Sequence, residues 1–267
     1  MLAVVGHTTK DVVGGGPVRP GGAPLFAARA LRALGEQGLI VTRCAADDES
    51  LVAPIRATGI RVLWRSEAES ASFRLSYRNG HREVEIETMG EAWTVEDVRG
   101  WLGEALRDAD WVHLGALWRG DFAADTVREL ARGRRLSFDG QGLVRPGRVG
   151  PVRLEPDLDR PLLSEVDILH LSVDEAAALG LDLDASSLGS LGVAEVVVTL
   201  GEEGCLVCSG GNAERVPARV VADADPTGAG DAFMAAYLVS RRGGHGPSSA
   251  ARRATEVVHG LLAGAFR

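Results

Sequence analysis

Lysine is almost absent from this sequence: Lys10 is the only one, and the other 28 of its 29 basic residues are arginine. A P-loop requires a lysine that reaches the nucleotide phosphates directly after a glycine-rich loop. A protein kinase requires a lysine on an internal strand together with an H-R-D loop. The residues around Lys10 match neither pattern, so both kinds of nucleotide site are excluded.

Positive charge and long apolar runs are also scarce. The chain has 29 Lys+Arg against 37 Asp+Glu, a net charge of −8, which argues against nucleic acid because binding phosphates needs clustered cations. No apolar run reaches the roughly 18 residues of a membrane span. The first residues, MLAVVGHTTKD, lack the basic stretch of a secretion signal. We therefore predict a soluble, cytoplasmic protein with neither a nucleic-acid nor a membrane partner.

Cysteine is sparse, with Cys44, Cys205 and Cys208 only. This odd number indicates a reducing compartment and no disulfide framework. Cys205 and Cys208 have C-x-x-C spacing, but they lie in a predicted strand, where residues three apart point to opposite faces. No second pair completes a four-ligand metal site, so we interpret both as core residues.

The sequence does contain a regular alternation of short apolar runs and amphipathic segments. This alternation predicts one α/β domain over residues 1–267, with a mainly parallel sheet covered by helices on both faces. The predicted strands are Leu2–Gly6, Leu39–Cys44, Ile60–Trp64, Trp111–Leu117, Arg135–Asp139, Val166–Leu171, Val196–Leu200 and Cys205–Cys208.

Two helices are predicted from local patterns. PLFAARALRALG places apolar residues from Leu25 to Leu34 at three-residue steps along one face and ends on Gly35. A capping-box pattern at Thr94 predicts a second helix running to about Arg107.

Polar and apolar residues alternate in SFRLSYRNGHREVEIETM on both sides of Asn79-Gly80, a dipeptide typical of a tight hairpin turn. Such an antiparallel ribbon is predicted to leave the main sheet. A lid, a surface for homodimer formation and an ordinary edge hairpin all remain open as its role. The glycine- and proline-rich residues 14–22 are predicted to form a loop.

The string DADPTGAGDAFMAAYL, from Asp223 to Leu238, places small residues directly before an apolar helix. The amides of Gly228 to Gly230 would lie unpaired at the helix N-terminus, where they and the helix dipole favour an anion. Asp231 would lie beside that anion. It is either an ordinary first-turn carboxylate or a base that accepts a proton from a hydroxyl attacking a phosphoryl group.

The segment DPTGAGDAF resembles the signature D-x-T-G-A-G-D-x-F of the PfkB (ribokinase-like) carbohydrate kinase family. The resemblance implies a ribokinase-like α/β fold with a small antiparallel β lid. It also implies an ATP-dependent phosphotransferase with an alcohol group as acceptor. In such an enzyme Asp231 would be the catalytic base, and Gly228, Ala229 and Gly230 would form the anion hole.

Other motifs of the family occur along this chain in the order that the family has them. The pair Gly21-Gly22 before a helix resembles the family's N-terminal glycine pair, and together with Asp11 it would bind the acceptor. The resemblance also assigns the ribbon to a lid over the sugar, with lid segments around 12–22 and 68–90.

The nucleotide side carries two further motifs. VVTLGEEG resembles the T-x-G-x-x-G motif, which implies an ATP site at Thr199, Gly201, Gly204 and Thr227. Glu175 falls at the glutamate of the family's N-x-x-E motif and would help to hold Mg²⁺ through water. A monovalent cation is a further candidate cofactor.

Three positions depart from the family pattern, since Thr9, Phe26 and Ser172 stand where the family has asparagine. Loss of two amides near the acceptor disfavours ribose. Ser172 would weaken or reshape the Mg²⁺ and phosphate contacts.

The segments GHTTKD and DGQGLVR resemble counterparts in the myo-inositol kinase-like branch. In the second segment Asp139 ends a strand, and Gln141 and Arg145 would reach the substrate or a phosphate, although a solvated loop is an equal alternative. The leading prediction is therefore a kinase for a small sugar or polyol, with a cyclitol such as myo-inositol preferred.

Two alternatives stay open. A nucleoside or pentose kinase of the same fold would use Phe26 to stack on a base. A degenerate module would bind nucleotide without phosphoryl transfer, because of the changes at Ser172 and Phe26. His113 and His170 are interpreted as packed or hydrogen-bonded strand residues rather than metal ligands.

Overall fold

The computed structural model describes residues 1–78 and 81–265. Nine strands form a large sheet. In order from one edge to the other they are Asn212–Val216 (β14), Cys205–Ser209 (β13), Glu195–Thr199 (β12), Ile168–Ser172 (β11), Arg135–Asp139 (β9), Trp111–Gly115 (β8), Leu2–His7 (β1), Gly38–Ala45 (β4) and Arg61–Glu67 (β5). The strands from β12 to β5 run parallel, whereas β13 and β14 pair antiparallel at one edge.

A second, smaller sheet has five strands. Their spatial order is Gly150–Pro151 (β10), His81–Thr88 (β7), Ser72–Arg78 (β6), Thr9–Val13 (β2) and Val18–Gly21 (β3). All neighbours are antiparallel except β2 and β6, which run parallel. Phe73, Leu75 and Ile86 of this sheet pack with Leu117 and Trp118, which follow β8.

Helices cover both faces of the large sheet. They are Ala23–Leu34 (α1), Ala53–Arg56 (α2), Val95–Arg99 (α3), Trp101–Ala105 (α4), Ala124–Ala131 (α5), Gln141–Val144 (α6), Arg160–Leu163 (α7), Val173–Ala178 (α8), Ala185–Gly189 (α9), Ala229–Arg242 (α10) and Pro247–Leu262 (α11). Apolar residues of α1, α10 and α11 form one core layer, and those of α3, α4, α5 and α7 to α9 form the other. No helix in the described part of the chain is long and apolar enough to cross a bilayer.

The strand and cysteine predictions are confirmed. Each of the eight predicted strands corresponds to a strand of the large sheet. Helix α1 ends at Gly35, whose φ of 67° provides a left-handed C-cap. Cys205 and Cys208 are free and buried, and they belong to the core layers on opposite faces of the sheet.

Two local predictions are wrong. The capping box at Thr94 forms, but the helix breaks at Gly100, which has φ −104° and ψ −123°, instead of running to Arg107. Glycine tolerates that backbone and is a weak helix former. The predicted loop at 14–22 contains β3, because pairing with β2 outweighs its composition. The strands flanking the predicted hairpin turn pair antiparallel, and Asn79-Gly80 itself lies outside the described residues.

A buried triad lies where the chain crosses between the two sheets. His7 ends β1, Glu67 ends β5 just before the chain enters the small sheet, and Asp121 follows β8. Nδ1 of His7 lies 3.1 Å from Oε1 of Glu67, and Nε2 lies 3.0 Å from Oδ1 of Asp121. The side chains of all three residues are inaccessible to solvent. The imidazole also stacks on Trp118, which packs with the small sheet.

Candidate active site

Helix α10 begins at a turn of small residues. Gly228 has a φ of 75°, and the next amide, that of Ala229, donates to the carbonyl oxygen of Pro226 at 3.0 Å. Within the described residues, no protein acceptor is bonded to the amides of Gly228, Gly230 and Asp231. These amides at the positive end of the helix dipole are the donors open to an anion.

Phe26 of α1 fixes the position of this turn. A Cβ on Gly228 would lie 2.1 Å from Cγ of Phe26, so the ring packs directly on the backbone. The guanidinium of Arg29 lies 5.6 Å from the centroid of the same ring. Glycine is therefore required at 228 both for its left-handed backbone and for its contact with the ring.

The half-buried carboxyl group of Asp231 is poised for proton transfer. Loss of hydration raises its pKa to about 7, and the negative charges of Asp139 and Asp11 act in the same direction. The positive charges of His170 and Arg145 oppose them. A carboxylate in this pKa range is suited to general base catalysis near neutral pH. Four charged groups from other elements thus converge on this carboxyl.

Asp11 is held at the end of the glycine pair. The hydroxyl of Thr9 donates to Oδ1 of Asp11 at 2.7 Å. A Cβ on Gly21 would lie 2.1 Å from Oδ2 of Asp11, and one on Gly22 would lie 2.2 Å from the carbonyl oxygen of His7. The glycine pair therefore lets the end of β3 approach the Asp11 carboxylate closely.

Glu175 takes part in a capping box at the start of α8. The amide of Ser172 donates to Oε2 of Glu175 at 2.9 Å, and the amide of Glu175 donates to the hydroxyl of Ser172 at 3.3 Å. Ser172 thus serves as a helix cap, a role that serine fills well. Glu175 is buried, and its negative charge reaches His170.

Among the described residues, no group of three or more His, Cys, Asp or Glu could hold a metal ion. Mg²⁺ in phosphoryl-transfer sites commonly takes one or two carboxylates and completes its shell with phosphate oxygens and water. The buried carboxylate of Glu175 is a donor of this kind, and it is the predicted contact to Mg²⁺ through water.

Gln141 and Arg145 flank the short helix α6, and both are half-buried. The amide of Arg145 donates to the carbonyl oxygen of Gln141 at 3.0 Å, which closes the helical turn. The charge of Arg145 lowers the pKa of Asp231. Arg145 therefore lies within electrostatic reach of Asp231, whereas no hydrogen bond in the described part of the chain joins the side chain of Gln141 to the turn at 228–231.

Thr199 and the glycines after it make internal contacts. The hydroxyl of Thr199 donates to the carbonyl of Leu171 at 3.3 Å, and its oxygen lies 3.2 Å from Nε2 of His170. Gly201 and Gly204 have φ of 61° and 100° in the connection between β12 and β13. A Cβ on Gly204 would lie 2.1 Å from the carbonyl oxygen of Val216. These residues shape the edge of the sheet beside α10.

Thr227 lies one residue before the turn. Its amide and its hydroxyl both donate to Oδ1 of Asp225, at 3.0 and 2.6 Å. This Asx-type turn directs the chain into Gly228.

The interpretation of His113 and His170 as hydrogen-bonded strand residues is confirmed. Sequence reasoning missed that His170 lies directly beneath the turn, since a Cβ on Gly230 would lie 3.3 Å from Cε1 of His170. The available signal was its place near the carboxyl end of a parallel strand, where the ligand groups of such sheets gather. It also missed the partners of His7, which come from segments 60 and 114 residues away.

Two curated relatives resemble part of this chain. An inositol 3-kinase from Zea mays is 33% identical over 124 residues, which is 44% of this chain and 31% of that protein. An inositol 3-kinase from Oryza sativa subsp. japonica is 31% identical over 127 residues, or 44% of this chain and 30% of that protein. The matches thus span about a third of the length of these relatives.

Solved structures match the whole fold. A pyrophosphate-dependent kinase in the ribokinase family, complexed with a pyrophosphate analog and myo-inositol, has a TM-score of 0.87 and 24% identity and covers 98% of this chain and 95% of its own. Arabidopsis thaliana ribokinase, complexed with ribose and ATP, has a TM-score of 0.76 and 20% identity, and the match covers 98% of this chain and 92% of that chain. The predicted ribokinase-like fold is therefore confirmed.

The family model described as pfkB family carbohydrate kinase matches residues 7–258. This span contains both sheets and the turn at the start of α10. The chain therefore belongs to the pfkB family of carbohydrate kinases, phosphotransferases that act on a hydroxyl group.

Proposed function

We propose that this protein phosphorylates a hydroxyl group of a cyclitol such as myo-inositol, with ATP as donor and Asp231 as catalytic base. The observation that carries the proposal is the turn at the start of α10. It offers unbonded amides at Gly228 and Gly230 beside a carboxyl whose pKa is raised to about 7.

The proposed reaction needs one proton acceptor and one anion site. Asp231 accepts the proton of the acceptor hydroxyl while that oxygen forms a bond to the γ-phosphorus. The bond between the γ-phosphorus and the bridging oxygen breaks, and ADP leaves. The amides of Gly228 and Gly230 hydrogen-bond the oxygens of the transferring group, where negative charge is spread in the transition state. The positive charge of Arg145 supports the same region.

Mg²⁺ would supply charge neutralisation on the donor phosphates, with Glu175 as its protein contact through water. Thr199, Gly201, Gly204 and Thr227 remain our candidates for the donor side. Their internal contacts make them suited to shaping the loops around the donor rather than to providing many free side-chain donors.

Asp11 and the backbone of Gly21 and Gly22 are the proposed acceptor site. An ionised carboxylate can accept hydrogen bonds from two neighbouring hydroxyls of a polyol. A cyclitol is favoured over other acceptors because inositol kinases occur among the curated relatives and the similar structures. Phe26 already contacts Gly228 and Arg29, which supports a packing role over stacking on a nucleoside base.

The test is a substrate panel with the purified chain, Mg²⁺ and either ATP or pyrophosphate. Acceptors are myo-inositol, other cyclitols, pentoses and nucleosides, and products are identified by mass spectrometry and ³¹P NMR. We expect an inositol monophosphate with ATP. A Gly189→Ala variant serves as a folded control, because a Cβ there meets no atom within 4 Å.

Other outcomes separate the alternatives. Phosphorylation of nucleosides or pentoses without cyclitols would assign the chain to the other acceptor class. Transfer from pyrophosphate but not from ATP would show that pyrophosphate is the phosphoryl donor. Pyrophosphate is included in the panel because one similar structure is that of a pyrophosphate-dependent kinase. Calorimetric binding of ATP with no product from any acceptor would indicate a degenerate nucleotide-binding module.

A further inference from the structure

A buried row of polar side chains crosses the strand ends beneath the turn at 228–231. His113 of β8, Asp139 of β9, His170 of β11 and Thr199 of β12 follow one another across four neighbouring strands. Nε2 of His113 lies 3.4 Å from Oδ2 of Asp139, and Nδ1 of His170 lies 2.5 Å from Oδ1 of Asp139. The family pattern quoted for this chain gives Thr199 a place in the nucleotide motif and assigns no role to His113 or His170.

Both ring nitrogens of His170 face oxygen atoms that can accept a hydrogen bond. Nδ1 faces the Asp139 carboxylate, which can only accept while it is ionised. Nε2 faces the hydroxyl oxygen of Thr199 at 3.2 Å, and that hydroxyl uses its own proton to bond the carbonyl of Leu171 at 3.3 Å. A doubly protonated ring, an imidazolium, would satisfy all of these contacts at once.

The charges around His170 agree with this assignment. Burial alone would lower the pKa of His170, but the hydrogen bond and charge of Asp139, with the charges of Glu175 and Asp231, raise it. Burial would likewise raise the pKa of Asp139, which the charges and hydrogen bonds of His113 and His170 hold well below its usual value. The charged form of each of these two groups thus favours the charged form of the other.

The imidazole ring lies against the backbone on which the proposed reaction depends. A Cβ on Gly230 would lie 3.3 Å from Cε1 and 3.8 Å from Nε2 of His170. The positive charge of His170 also lowers the pKa of Asp231. The ring is thus close to both the open amides of the turn and the proposed base.

We propose that His170 is a positioning residue for phosphoryl transfer: its imidazolium, fixed by Asp139 and Thr199, supports the anion site from beneath and keeps Asp231 ionised. The role rests on the proposed function, because it acts through the same turn. It differs from a packing role, which needs only the shape of the ring.

The test is the variant His170→Gln, which removes the ionisable ring and keeps a side chain of similar volume. We expect kcat to fall roughly tenfold or more, as for the loss of one electrostatic contribution to an oxyanion site, with little change in the KM of the acceptor. The acid limb of the kcat/KM pH profile should move to higher pH, because Asp231 loses a nearby cation. A packing role would change the melting temperature without moving this limb.

His113→Gln is the matched control. His113 contacts the other oxygen of the same Asp139 carboxylate, but it lies two strands away from His170, and the ring next to Gly230 is that of His170. We expect the acid limb of this variant to coincide with that of the unmodified protein. An equal shift in both variants would overturn the assignment to His170.

The charge on His170 is measured independently of turnover. The ¹⁵N-histidine NMR resonances of His170 are identified as those that disappear in His170→Gln. At about pH 7.5, well above the ordinary histidine pKa, we expect these resonances to show that both ring nitrogens are protonated. A neutral ring at that pH would overturn this role and leave the proposed function intact. A chain that transfers phosphate to no acceptor would overturn the proposed function, and the role would fall with it.

Discussion

Asp231 is the proposed catalytic base, and its environment distinguishes it from an ordinary helix-capping carboxylate. First-turn carboxylates are common because they interact well with the helix dipole, and the dipole would lower the pKa of such a group. Here the pKa is raised to about 7 by loss of hydration and by Asp139 and Asp11. The group therefore keeps enough basicity to take a proton from an alcohol.

Asp231→Asn removes the proton acceptor and keeps the size of the side chain. We expect kcat to fall by at least about a hundredfold, the lower range for a positioned general base. The far-ultraviolet circular dichroism spectrum and the melting temperature should stay close to those of the unmodified protein. Steady-state kinetics with saturating donor measure the effect, and near-normal turnover would remove Asp231 from this role.

The same carboxyl sets the response of the rate to pH. Asp231 must be ionised to accept a proton, and its pKa is about 7, so kcat/KM should rise with pH up to about that value and then level off. An ordinary aspartate would give a limb near its unperturbed pKa of about 3.9. The measurement is kcat/KM from about pH 5 to 9 in buffers of constant ionic strength. A flat profile over this range would contradict the assigned pKa.

At the level of elements, the end of β3 is shaped around one carboxylate. Gly21 has no positive φ, so alanine is compatible with its backbone, but the added Cβ would lie 2.1 Å from Oδ2 of Asp11. Asp11 must then move away from the position in which it would bind the acceptor.

Gly21→Ala should therefore raise the KM of the acceptor roughly tenfold or more, because displacement of a binding group by about 1 Å is costly. The KM of the donor should change little, since Gly21 lies on the acceptor side. Gly189→Ala is the matched control, since its Cβ has open space. An unchanged acceptor KM in a folded Gly21→Ala protein would show that Asp11 does not bind the acceptor.

Most strands of the large sheet were predictable because they are buried on both faces and appear as continuous apolar runs, whereas β14, which is mostly exposed, was not predicted. β3 was not predicted either, since Pro20 and the glycines around it have little strand character and the strand forms through its pairing with β2. The break at Gly100 was also not predicted, because one glycine inside a helical pattern is usually tolerated.

The site residues also differ in how well the sequence predicts them, according to whether their contacts are local or distant in the chain. The turn at Gly228 to Asp231 is local in sequence, so its amides and its carboxylate could be predicted from one motif. His170 and Asp139 could not be connected to that turn, because they come from different strands and meet only when the parallel strands align their carboxyl ends. Ser172 and Glu175 have the S-x-x-E spacing of a capping box, but Ser172 was interpreted only as a departure from a family pattern.

At the level of the whole molecule, the two sheets depend on one buried charge cluster. The Glu67–His7–Asp121 triad joins the ends of β1 and β5 to the segment after β8. Oδ2 of Asp121 also accepts from the amide of Leu117, which packs with the small sheet. A buried histidine between two carboxylates is costly to leave unpaired, so we expect its protonation to be coupled to the stability of the fold.

Burial alone would lower the pKa of His7, but Asp121 and Glu67 raise it to about 9. The unfolded value is about 6.5, so the stabilisation is complete below about pH 6.5 and is lost as pH rises through about 9. The difference between the folded and unfolded pKa values of His7 corresponds to about 3 kcal/mol of stability.

Buried cysteines also make the folded state less stable as pH rises in this range. The unfolding free energy of His7→Gln is therefore subtracted from that of the unmodified protein at each pH, which leaves the contribution of His7. This difference between the two proteins, from urea unfolding, should shrink from pH 6.5 to pH 10 by about the same amount. His259→Gln is the control, because its partner is a backbone carbonyl on the surface. A difference that stays constant with pH would mean that His7 is neutral and joins the sheets by packing and neutral hydrogen bonds.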